Sequence, residues 1–165
     1  MKVGVLAVQG AFAEMSAYWR SQGAETFEIR QHSDLEHHMD MLALPGGEST
    51  VQGKLLNDLE LFEPLKARIA AGLPVFAVCA GLILLSDWFQ VLPVMVKRNA
   101  YGRQLGSFTT IGTWNGHPGT RMTFIRAPAI MSTAPDVEIL SSFNGQPSSV
   151  KWRNITAFTW HPELN

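Results

Sequence analysis

Hydrophobic and polar positions change their period partway along the chain. Residues 2–8 form a short apolar run rich in β-branched side chains, the pattern of a strand buried on both faces. Gly10 ends it, and residues 11–21 repeat at helical spacing before Gly23 closes the segment. Strand patterns return at 24–29 and 39–44, the second stopped by Pro45-Gly46-Gly47. A helix opens near Ser49 and another covers 60–71. A strand at 74–78 is then followed, after Cys79-Ala80-Gly81, by an apolar helix at 82–85. Strands alternating with helices predict an α/β fold, a three-layer, doubly wound, mostly parallel sheet.

The second half reads differently. Strand patterns at 104–114, 121–127, 137–140, 148–152 and 155–160 are separated by turn signals such as Asn115-Gly116 and Asn144-Gly145. They predict antiparallel additions to the same sheet. Neither an internal repeat nor a linker divides the chain, so residues 1–165 read as a single domain.

Composition narrows the function classes. The chain has 165 residues, 46% hydrophobic and 16% charged, with a net charge of −1. That balance lacks the basic stripe of a nucleic-acid binder, and no apolar run approaches the ~18 residues of a membrane span. The amino-terminal apolar run is too short for a secretory leader and fits a buried first strand. The single cysteine, Cys79, has no internal disulfide partner, which agrees with a reducing, cytoplasmic setting. His32, Glu36, His37 and His38 lack a recognised metal-ligand spacing and read as a solvated loop; neither a metal nor a cofactor is expected.

Cys79 carries the first candidate chemistry. It stands where an apolar strand meets a helix, flanked by the small residues Ala77, Ala80 and Gly81. A nucleophile on such a turn projects from the carboxyl edge of the sheet, where free backbone N–H groups can receive an oxyanion. A free cysteine in an apolar run is also what a packed interior contains, so the elbow alone leaves both readings open. Downstream, Trp160-His161-Pro162-Glu163 supplies a base and an acid to orient it. Residues two apart in an extended chain point the same way, which predicts that Glu163 reaches His161. Pro45-Gly46-Gly47-Glu48-Ser49-Thr50 is a third candidate: its two glycines let the backbone turn amides outward toward an oxyanion or carboxylate.

Together these segments resemble the class I, triad-type glutamine amidotransferases, a flavodoxin-like fold. Within that class the chain is similar to the glutaminase subunits of pyridoxal 5′-phosphate synthases. The match is carried by 4–12, Leu44-Pro45-Gly46-Gly47-Glu48-Ser49-Thr50, Cys79-Ala80-Gly81-Leu82, Arg98-Asn99-Ala100-Tyr101-Gly102-Arg103-Gln104, Phe124-Ile125-Arg126-Ala127-Pro128 and His161-Pro162-Glu163-Leu164. The resemblance implies that Cys79 attacks the side-chain carboxamide of L-glutamine to give a γ-glutamyl thioester and ammonia. His161 moves the proton and Glu163 orients His161. It further implies an oxyanion hole from Gly47 and Ala80, with glutamine contacts from Gly47, Glu48, Ser49, Arg98, Ile125 and Arg126. The ammonia passes to a partner synthase subunit, a (β/α)₈ barrel, in a large hetero-oligomer that makes vitamin B6.

The sequence departs from that family pattern at three places. Ala77-Val78 stands where relatives carry Gly-Thr, which predicts crowding at the elbow. The stretch 86–97 is shorter, which predicts a more open glutamine pocket or a changed ammonia exit. The sequence ends at Asn165 where relatives continue into a helix, which predicts thinner cover on one sheet face and a less firmly held Glu163. Two other readings follow: a triad amidotransferase serving a different synthase, and a catalytically silent assembly module of the same fold.

Overall fold

The computed structural model describes residues 1–100 and 106–165. The parallel half runs β1 (Lys2–Leu6), α1 (Phe12–Ser21), β2 (Glu25–Ile29), β3 (Met41–Leu44), α2 (Ser49–Asp58), α3 (Phe62–Ala70), β4 (Val75–Val78) and α4 (Ala80–Ile83). There follow β5 (Val94–Lys97), β6 (Ser107–Trp114), β7 (His117–Ile125), β8 (Ala129–Thr133), β9 (Glu138–Phe143), β10 (Gln146–Trp152) and β11 (Ile155–Phe158). Residues Tyr101 to Gln104 of the Arg98–Gln104 motif, and the start of the strand expected at 104–114, lie outside the described residues.

The central sheet has the order β2-β1-β3-β4-β11-β10-β9. Its first five strands are parallel, and β10 and β9 add antiparallel at one side. Alternate side chains of the parallel strands feed two cores. Leu42, Leu44, Val75 and Ala77 face Leu56 of α2, Leu65 of α3 and Leu82 of α4. Val3, Val5, Phe76, Val78 and Phe158 face Met15 of α1 and Met122 and Phe124 of β7. The expected three layers are therefore present.

Two expectations are corrected. Not every later strand joins the main sheet: β6 pairs only with β7, and β5 with β8, as separate two-stranded ribbons. Along β6 half-buried and exposed residues alternate, the signature of a ribbon laid over a core rather than inserted in it. The His32–Glu36 stretch is a 3₁₀ turn rather than an open loop, with Asp34 accepting the Arg30 and Gln31 amides. His38 pairs with Asp40 at 2.9 Å.

The sheet face that packs against α1 and β7 carries an aromatic layer. Phe76 is met by Trp19 (5.0 Å between ring centroids) and Tyr18 (6.0 Å), and Phe158 by Trp160 (5.1 Å) and Trp114 (6.1 Å). Phe158 is consequently 1% exposed and Phe76 8%.

Candidate active site

The sheet register creates the site. Val78, the last residue of β4, lies opposite Phe158, the last of β11, and the Cys79 amide donates to the Phe158 carbonyl at 2.8 Å. The two chains then leave the sheet side by side, one as the Cys79 turn and the other as Thr159-Trp160-His161. β3, on the other side of β4, ends one residue before the Pro45-Gly46-Gly47 turn. Three segments far apart in sequence thus meet at the carboxyl edge of the sheet, where open α/β sheets place their ligand sites.

Cys79 adopts φ 53°, ψ −105°, a backbone conformation a non-glycine residue takes only when its surroundings impose it. The elbow forms with Ala77 fully buried and paired in register with Leu44 and Ala157, so its methyl is accommodated. Gly81 is the residue that tolerates no side chain here: a Cβ would lie 2.5 Å from the Leu44 carbonyl oxygen. The Cys79 thiol, 8% exposed as a residue, contacts the Ile125 carbonyl at 3.8 Å.

His161 and Glu163 form a buried pair, Nδ1 to Oε1 at 2.7 Å, with side chains 8% and 1% exposed. The contact does not arise from an extended chain, as the sequence reading supposed. Pro162–Leu164 is a 3₁₀ turn that folds the carboxylate back onto the ring. The His161 amide donates to the Thr123 carbonyl at 2.8 Å, so β7 holds the imidazole while Ile125, its last residue, touches the thiol. Glu163 is held through Oε1 alone, its Oε2 being buried without a hydrogen-bond partner among the described residues. His161 Nε2 is buried without a hydrogen-bond partner among the described residues. Burial opposes a charge on this ring, yet the attraction of the Cys79 sulfur and the Glu163 carboxylate outweighs it, and the pKa is pushed up to about 9. An imidazolium poised to return a proton is the chemical consequence.

Around this pair opens a cavity of about 890 Å³. Its walls include every residue singled out from the sequence: Cys79, His161, Glu163, Gly47, Ala80, Glu48, Ser49, Arg98, Ile125 and Arg126. The Gly47 and Ala80 amides have no acceptor among the described residues and remain available to a ligand oxygen. Arg98 donates to the Ser49 hydroxyl and, at 3.0 Å, to Thr50 Oγ1. None of residues 86–97 lines the cavity. Instead, Leu84–Trp88 forms a π turn that brings the Trp88 ring against Gly53 of α2.

Sequence reasoning missed the layer beneath the glycine turn. Gln9 Oε1 accepts the Glu48 amide at 2.9 Å, and Gln52 donates to the Gln9 and Pro45 carbonyls. Gly10 (φ +99°) lies so close to Gly46 that a Cβ there would be 2.1 Å from its carbonyl oxygen. The glycine in Gln9-Gly10, directly after a strand, was the available signal, since such a glycine often marks a close backbone approach.

Known proteins share this chain's sequence and fold. The model of the SNO glutamine amidotransferase family matches residues 5–165. The chain belongs to that family. It is 52% identical over 173 residues to a pyridoxal 5′-phosphate synthase subunit PdxT of Desulfitobacterium hafniense, spanning 100% of this chain and 87% of the relative. A PdxT of Methanocorpusculum labreanum is 46% identical, spanning 99% of this chain and 90% of the relative. A crystal structure described as a glutamine amidotransferase superposes with a TM-score of 0.90 at 35% identity, covering 99% of this chain and 91% of the other.

Proposed function

We propose that this chain is the glutaminase subunit of a pyridoxal 5′-phosphate synthase and hydrolyses L-glutamine through Cys79, His161 and Glu163. The observation that carries the reading is the strained Cys79 elbow in one cavity with the buried His161–Glu163 pair and the Gly47 turn. In this mechanism His161, protonated as its raised pKa requires, already holds the proton given up by Cys79, and Cys79 Sγ adds to the carboxamide carbon as the sulfur anion of that pair. The Gly47 and Ala80 amides receive the oxyanion. As the C–N bond breaks, His161 returns the proton to the departing ammonia, leaving a γ-glutamyl thioester. Water then attacks the thioester and glutamate leaves.

The substrate end of the reading rests on charge and shape. Arg98, exposed at the mouth and tied to Ser49 and Thr50, suits the α-carboxylate of an amino acid, since a guanidinium can hold two partners at once. Glu48, Ser49, Ile125 and Arg126 complete the contacts. Ammonia then passes to the synthase subunit, a (β/α)₈ barrel in the resemblance, within a hetero-oligomer in the cytoplasm; among the described residues no helix is long and apolar enough to cross a membrane.

The test is glutamate release by this chain together with its synthase subunit. Cys79→Ala is expected to abolish release, and a diazo-ketone analogue of glutamine is expected to label wild-type Cys79. Release by Cys79→Ala at the wild-type rate would refute the mechanism. An assembled complex that neither labels nor hydrolyses would mark the chain as a silent assembly module.

A further inference from the structure

Gln52 is a buried polar group that the mechanism above does not use. It lies in the first turn of α2 and is 0% exposed. Its Nε2 donates to the Gln9 carbonyl at 3.2 Å and to the Pro45 carbonyl at 3.3 Å. A carboxamide nitrogen carries two N–H groups, so this one nitrogen supplies a donor to each of two loops. Those loops are the ones that meet at the glycine turn: the Ala11 amide donates to the Gly46 carbonyl at 3.0 Å, and the Glu48 amide to Gln9 Oε1 at 2.9 Å. Gly47 is wedged directly above. A Cβ added to it would lie 2.5 Å from Gln9 Oε1 and 3.0 Å from Gln52 Nε2.

The other end of the same carboxamide argues that packing is not its purpose. Gln52 Oε1 is buried with no hydrogen-bond partner among the described residues. An unpaired carbonyl in the interior is destabilising, and a leucine or methionine would fill the space without leaving one. What an apolar side chain lacks is the pair of donors.

We propose that Gln52 is a positioning residue for the oxyanion turn, clamping the Gln9 and Pro45 loops from beneath so that the Gly47 amide stays in line with that of Ala80. The inference rests on the glutaminase reading and deepens it. Gln52 touches neither the substrate nor the reacting atoms. Its effect is carried through Gly47, and therefore falls on the step in which the oxyanion forms.

The test uses Gln52→Leu, with Gln52→Met as the second variant should the first melt below the assay temperature, each with the synthase subunit. An aldehyde analogue of glutamine, in which –CHO replaces the carboxamide, reports on the turn: the Cys79 sulfur adds to its carbon and the resulting oxygen occupies the oxyanion position. Iodoacetamide alkylation of Cys79, the single cysteine of the chain, needs no oxyanion hole. Displacing a donor rather than deleting it is expected to lower kcat and aldehyde affinity by about tenfold each, with KM and the alkylation rate within about twofold of wild type. Unchanged kcat and aldehyde affinity would overturn the proposal. So would an alkylation rate falling in step with kcat, which would show general damage to the site. Failure of the glutaminase reading is separate and is seen in the wild-type protein, as absence of Cys79-dependent glutamate release.

Discussion

Replacing Gly46 by alanine tests the geometry where the glycine turn meets His161. Gly46 does not have the left-handed backbone that reserves a position for glycine, so the added methyl is the main perturbation. That methyl would stand 2.7 Å from His161 Cε1, 3.6 Å from Nδ1 and 3.8 Å from the Cys79 Cβ. Carbon atoms rest comfortably at about 3.5–4.0 Å, so the imidazole must retreat by roughly 1 Å. It is not free to do so: Nδ1 is held by Glu163 at 2.7 Å and the backbone amide by Thr123 at 2.8 Å. A displacement of that size in a catalytic base costs about 10²-fold in rate, close to 2.7 kcal/mol of transition-state stabilisation. The expected result for Gly46→Ala is a kcat for glutamate release about a hundredfold below wild type. KM should change little and the melting temperature should lie within a few degrees. Glutamate is measured at saturating glutamine with the synthase subunit present, and the fold is followed by thermal melting. A folded Gly46→Ala enzyme within threefold of the wild-type kcat would refute the placement of His161 against this turn.

Four further outcomes follow from contacts in and beneath the site. Because His161 must be protonated to release ammonia and its pKa is raised from 6.5 to about 9, the alkaline limb of kcat is expected near pH 9. Glu163→Gln removes the carboxylate charge and should move that limb to lower pH; a limb that stays put in a pH–rate profile would contradict the pairing. The same shift makes stability pH-dependent: the His161 contribution is full below about pH 6.5 and is lost as pH rises through 9, so the wild-type melting temperature should fall over that interval by more than that of Glu163→Gln. Arg98→Lys leaves a point charge that cannot hold Ser49, Thr50 and a carboxylate together, and should raise KM about tenfold with kcat nearly unchanged in steady-state kinetics. Gly81→Ala drives a methyl into the Leu44 main chain and should cost about 2 kcal/mol of stability, seen as a melting temperature lower by roughly 4–8 °C.

The parallel half of the fold is legible in the sequence because each of its strands is either an apolar run or bounded by glycine or proline. Only ends shift, as where the helix expected from residue 11 begins at Phe12. In the later half, alternation reveals strands but not their partners. The pattern along β6 is compatible with any antiparallel neighbour, and only the packing of Phe108 against Phe124 and Phe143 shows that it belongs to a ribbon over the sheet. The strands β5 and β8 escaped notice because four or five residues that expose Met95 and Met131 give no usable period.

The candidate site was legible for a different reason: its proposed residues lie near strand ends or helix starts, where a motif is local. Its relation to the other motifs is not local. That Cys79 and His161 meet follows from the register pairing Val78 with Phe158, which neither segment encodes alone. The Glu163 contact shows how a correct pairing can be inferred from a wrong geometry. Spacing two residues apart in an extended chain and a 3₁₀ turn starting at proline both bring a carboxylate to the ring, but only the turn also buries it to 1% exposure. Burial strengthens the electrostatic hold of Glu163 on His161, and that hold helps raise the pKa of the base despite the burial that opposes it. The Gln9–Gln52 layer is the complementary case. Gln9 and Gln52 lie 43 positions apart, and Gln52 acts on main-chain carbonyls that any sequence would supply. Gly10 marks a close backbone approach in the sequence, but the glutamine that ties the two loops together has to be read from the folded chain.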